Sequence, residues 1–137
     1  MSESFETILY NRSAATTRVH GILAIIFGGI GVLLGVLFMF LFLIAGSVAL
    51  NLEDVVSSVA LFIFTLVLFV IPHIYLIIAG VHLVKEPAPK VARTLIIINL
   101  IIGVLSNLVI LVISIVNLIQ MSDYERGYTQ HKRTHGK

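Results

Sequence analysis

Histidine is the side chain best suited to exchanging protons near neutral pH, and this sequence contains five: His20, His73, His82, His131 and His135. His73 follows Pro72 deep inside an apolar run, about eleven residues before its end at Val84. An ionisable group at such depth is costly in hydrocarbon and points to proton or substrate handling. A neutral imidazole bonded to an amide, Asn99 or Asn107, accounts for the same placement. His20 opens the first apolar run and His82 nearly ends the second. Antiparallel packing would bring them to similar depth, a weak candidate pair for haem iron or another metal. No carboxylate accompanies them at a useful spacing, so no metal and no cofactor is expected. His131 and His135 fall in a basic tail and are expected to be solvated.

Other reactive groups are scarce. The chain has no cysteine, which excludes thiolate ligands, thiol nucleophiles and disulfides. Glu53 and Asp54 are adjacent, whereas a general acid and base must face each other across a substrate. Their expected use is a solvated turn that caps the next helix. Phosphate-cradling loops, zinc spacings and catalytic triads are absent from the sequence. The expectation is a protein that is not an enzyme.

The elements that must position these residues are set by composition. Of 137 residues, 58% are apolar and 12% charged, with a mean hydropathy of +1.08. A soluble domain carries about 25% charge and about 45–50% apolar residues. The formal net charge of +2 belongs to the polar ends, so a nucleic-acid partner is not expected. The bilayer is. Apolar runs cover 19–50, 55–84 and 91–119, separated by a polar turn at 51–54 and by the Pro87/Pro89 loop. Each exceeds the roughly 20 residues that cross a hydrocarbon core of about 30 Å.

The fold class predicted is all-α: a polytopic integral membrane protein with three long transmembrane helices in an antiparallel up-down-up bundle. A polar segment, 1–18, precedes a transmembrane domain, 19–119, with crossings near 19–44, 57–84 and 91–119. A basic polar tail, 120–137, follows. Pro72 removes a ladder hydrogen bond and frees the Leu68 carbonyl, which predicts a kink in the second helix.

Two helix faces carry the remaining signal. Gly21, Ala24, Gly28, Gly31 and Gly35 fall on one side of the first helix, a surface that lets two backbones approach closely. Asn99, Gly103, Ser106, Asn107, Ser114 and Asn117 fall within one arc of about 100° on the third helix. Amides and hydroxyls are costly against lipid, so this stripe should face protein or water. Tyr124 and Tyr128 stand where an aromatic belt would anchor the third helix.

Charge flanks give little preference in orientation. The first helix favours a cytoplasmic N-terminus, and a bacterial inner (cytoplasmic) membrane is the expected location. Three crossings then put the basic tail outside. A re-entrant third run, centred on 103–107, would return both ends to one side. The leading functional expectation is a homo-oligomer or an accessory subunit of a larger membrane complex, using the glycine face and the amide stripe as contacts. A channel or small transporter, lined by the stripe and gated by His73, is the alternative. A membrane-shaping hairpin protein is a third.

Overall fold

The computed structural model describes residues 4–135, and all of its regular elements are helices. They are α1 (Phe5–Ser47), α2 (Leu52–Thr65), a π-helical turn (Leu66–Val70), α3 (Ile71–Val84), α4 (Pro89–Ser106), α5 (Leu108–Ile119) and α6 (Met121–His135). Three are long and apolar enough to cross a membrane: Phe5–Ser47, Leu52–Val84 and Pro89–Ser106. The all-helical class and the three long apolar helices are thus as the sequence indicates. The chain forms two compact units, one of Met1–Ala24 with Ala79–Lys137, the other of Ile25–Ile78.

The second unit is a helical hairpin whose register follows the glycines of α1. Gly46 meets Ser58, Gly35 meets Val70 and Gly28 meets Ile77, so the two arms run in opposite directions. The closest fit is at Gly31, where any added methyl would collide with the His73 imidazole. Asn51 starts α2 by accepting the Asp54 N–H at 2.8 Å and donating its own amide to Asp54 Oδ2 at 2.9 Å. Glu53 and Asp54 lie in the first turn, where the helix dipole favours negative charge. The π-turn comes immediately before Pro72 and shifts the ladder by one residue, with the Ile71 N–H donating to Leu66 O. Such a bulge is a common way for a helix to accommodate a proline.

In the first unit, α1 begins at Phe5 rather than at the hydrophobic boundary near Val19. Ser4 caps it, accepting the Thr7 N–H on its hydroxyl. Ser13, Thr16 and Thr17 return their hydroxyls to carbonyls of Tyr10, Arg12 and Ser13, so the polar stretch satisfies itself within the helix. Tyr10 and Ala14 join Leu83, Ala92, Ile96, Met121 and Tyr124 in the core of this unit. Gly21 lies against the backbone of α3, where a methyl would come within 2.7 Å of Gly80 O.

The third apolar run departs from expectation. It is not one helix over 91–119: α4 stops at Ser106, and Asn107 takes an extended conformation (φ −153°, ψ 108°). The Asn107 N–H closes α4 on Gly103 O at 3.0 Å. Its Oδ1 then caps α5, accepting from Val109 N at 3.0 Å and Ile110 N at 3.2 Å. Asparagine competes with the helix for backbone partners and so favours a cap over a helix interior. The chain turns back here. A methyl at Gly103 would sit 2.5 Å from Leu111 N, although eight residues of continuous helix would separate the two by about 12 Å. With 12 residues, α5 is about 18 Å long and cannot cross alone.

The described part of the tail is helical. It forms α6, bent 58° from α5, with Met121 and Tyr124 buried. Tyr124 is not a lipid-facing anchor: it stacks near Tyr10 (centroids 5.7 Å) and donates its hydroxyl to Pro87 O at 2.7 Å. Burial, then the neighbouring Tyr10, Glu86 and Tyr128, pushes that hydroxyl's ionisation above the ordinary tyrosine range, so it donates as a neutral group. His131 is exposed, as expected, while its ring stacks on Tyr10 at 5.4 Å, because α6 carries it to the N-terminal turns of α1. The His135 side chain lies outside what the structure describes.

Candidate functional site

The concentration of buried polar chemistry lies around His20, not His73. The His20 ring is fully buried on α1. Asn99 of α4 places its amide nitrogen 3.0 Å from Nε2, and Asn117 of α5 places its own 3.0 Å from Nδ1. Ser114 Oγ is 3.4 Å from Nε2 and donates to Ile110 O at 2.6 Å. Thr17, one turn before His20, reaches Asn117 Oδ1 at 3.1 Å. Asn99, Ser114, Asn117 and Thr17 are all buried. Eighteen residues of straight helix would hold Asn99 and Asn117 about 27 Å apart. Both touch one imidazole only because the α4–α5 hairpin folds them together.

The donor inventory of this cage has a consequence. An imidazole can accept at one nitrogen at most, and the other carries a hydrogen. Two amide nitrogens therefore cannot both donate to the ring. Asn117 is held by the Thr17 hydroxyl, while Asn99 Oδ1 is buried and has no hydrogen-bond partner among the described residues. A half-turn of the Asn99 amide brings that oxygen onto Nε2–H and removes the conflict. Chemically, the cage is a closed hydrogen-bond knot joining α1, α4 and α5. No carboxylate or lysine takes part, and both ring nitrogens are engaged, which leaves neither for iron or another metal.

The sequence-derived candidates are distributed as follows. Asn99, Ser114 and Asn117 gather at His20, with Gly103 at the α4–α5 contact. Ser106 and Asn107 sit at the tip of the hairpin, Ser106 bonded to Ile102 O and Asn107 acting as cap. They do not share one helix face with the others, since the run is broken. His73 has its Nδ1 2.7 Å from Phe69 O and its ring 4.4 Å from the Phe69 ring, so its polar contact is local and Asn99 is taken by His20. His82 is exposed where His20 is buried, and among the described residues no three His, Asp or Glu side chains could hold a metal ion.

What the sequence reading missed is His20 as a centre, with Thr17 beside it. Ser13, Thr17 and His20 are spaced i, i+4, i+7, one face of a helix. Assigning 1–18 to a separate polar segment hid that face. Comparison with protein-family models, with curated proteins and with solved structures finds no match.

Proposed function

We propose that the chain is a non-enzymatic integral membrane subunit that associates with further copies of itself, or docks in a larger complex, through its second unit. The observation that carries this is the state of α2: among the described residues it has none that is buried within the chain. An open, largely apolar cavity of about 490 Å³ lies beside it, lined among others by Phe42, Gly46, Ser47, Ser58 and Phe62. Gly46 and Ser58 meet each other across the hairpin, and the open rim of aromatic and aliphatic side chains beside them suits another helix, where packing rather than the hydrophobic effect drives association in lipid. The contacts foreseen from sequence are not these. The glycine face is met by residues of the chain's own hairpin, and the amides close on His20. The closed amide cage likewise supports a structural role over a conducting one.

Charge placement supports an orientation. Every Lys and Arg of the sequence lies before residue 24 or after residue 79, while Glu53 and Asp54 are the charged residues of 25–78. With α5 returning α6 to the side of α4's start, the basic segments share one side, which the positive-inside rule assigns to the cytoplasm. A bacterial inner membrane is the setting this reading adopts.

The cysteine-free sequence makes the test direct. Ser58→Cys should form a disulfide-linked dimer on oxidation in native membranes, and Ser122→Cys, on α6, should not. Ser58→Phe, which fills the groove, should lower the dimer fraction at least fivefold in mild detergent, as measured by light scattering on a sizing column. A Ser58→Cys protein that forms no disulfide-linked dimer, together with a wild-type protein that is monomeric on the sizing column and captures no partner, removes the proposal.

A further inference from the structure

We infer that the outer side of α6 is a binding surface for anionic phospholipid headgroups, with Lys132 and Arg133 as the cations that hold the phosphate. This builds on the membrane reading but does not depend on self-association.

The first observation is charge. Among the described residues, the first unit carries eight Lys and Arg against four carboxylates, an excess of four. Three of those cations are neutralised in place, as Arg18–Glu86, Arg93–Glu125 and Arg126–Asp123. Lys132 and Arg133 have no carboxylate partner among the described residues; Lys132 Nζ instead stands 5.9 Å from the centre of the Tyr128 ring.

The second observation is shape. Tyr128, Thr129, Lys132 and Arg133 line a shallow cavity of about 240 Å³. It offers two positive groups, a hydroxyl and an aromatic face, a set suited to a phosphodiester with its glycerol. Buried Met121 and Tyr124 fix which side of α6 turns inward, so these cations are not free to follow the tail elsewhere.

The third is height. The 58° bend at Gln120 decides whether the cavity can reach lipid. With α5 along the bilayer normal, about twelve residues of straight continuation would raise it about 18 Å. The bend reduces this to about 10 Å, near the headgroup layer of about 5–8 Å once the reach of a lysine side chain is included. Attraction to an anionic leaflet falls off within a Debye length of about 8 Å.

The test uses the full chain in detergent, titrated with short-chain phosphatidylglycerol, short-chain phosphatidylcholine or inorganic phosphate, and follows the thermal midpoint to obtain apparent affinities. Phosphatidylglycerol should bind more tightly than phosphatidylcholine. Each surface cation contributes roughly fivefold, so Lys132→Gln with Arg133→Gln should weaken phosphatidylglycerol binding about 25-fold. The variant's helical circular dichroism should be unchanged, because both side chains are exposed. No preference for phosphatidylglycerol, a preference that survives the double substitution, or equal binding of inorganic phosphate each overturns the assignment.

Discussion

Replacing His20 with alanine is expected to destabilise the protein by about 3 kcal/mol, read as reversible unfolding in mixed detergent–lipid micelles. The Asn99 and Asn117 amides and the nearby Ser114 hydroxyl lose their imidazole partner at once. Hydrogen bonds within a membrane contribute about 0.6–2 kcal/mol each, and the vacated ring volume adds a cavity cost. The companion variant separates knot from catalytic or conducting group. Changing His20, Asn99 and Asn117 together to leucine removes both orphaned amides, leaves Ser114 and Thr17 bonded to the carbonyls of Ile110 and Ser13, and should recover most of the loss, since apolar replacement of a buried polar set is often neutral. A His20→Ala protein as stable as the wild type would mean that the ring is not enclosed by these amides.

The second large effect is one of sign. Gly103→Ala is expected to destabilise by about 2 kcal/mol. The new methyl would meet Leu111 N at 2.5 Å and Leu111 Cα at 2.8 Å. Those are backbone atoms that cannot swing aside, and overpacking of this kind costs about 1–3 kcal/mol. Were 91–119 a single helix, the same change would relieve a helix glycine and stabilise by about 0.5–1 kcal/mol. Gly29 is the control, because nothing lies within 4 Å of a methyl there. Gly29→Ala should be neutral or stabilising in either case, and thermal midpoints of the two variants under one set of conditions distinguish the folds.

How far the fold was legible in the sequence depends on which residues are considered. Runs of Leu, Ile, Val and Phe define the long apolar helices through length alone, because the hydrocarbon core sets a minimum. Gly28, Gly31 and Gly35 lie on one face and are met by one partner helix, since wheel geometry needs only a continuous helix to be informative. The break at Asn107 was visible as a polar interruption at 103–107, yet a helix wheel drawn across it placed Asn99 and Asn117 on one face of a rod. Their true proximity comes from a reversal of direction, which a periodicity cannot encode. The same limit applies to His20. Its partners are 79 and 97 residues away, and the local sequence shows only that it shares a face with Ser13 and Thr17. For the tail, polarity suggested a solvated strand of chain. The burial of Met121, Tyr124 and Gly127 along one side of α6 follows from aromatic residues at i, i+4 spacing, Tyr124 and Tyr128, that the tail's overall polarity outweighed.

The reversal at Asn107 supports both the cage and the shared side of the basic segments. It is tested most directly by a distance. Thr94 and Ile119 are both exposed, and the absence of native cysteine allows spin labels to be placed on Thr94→Cys and Ile119→Cys alone, with the protein in lipid nanodiscs. A folded-back hairpin with axes about 8–10 Å apart should give a double electron–electron resonance distance below about 25 Å. A distribution centred near 38 Å, the length of 25 residues of unbroken helix, would contradict it.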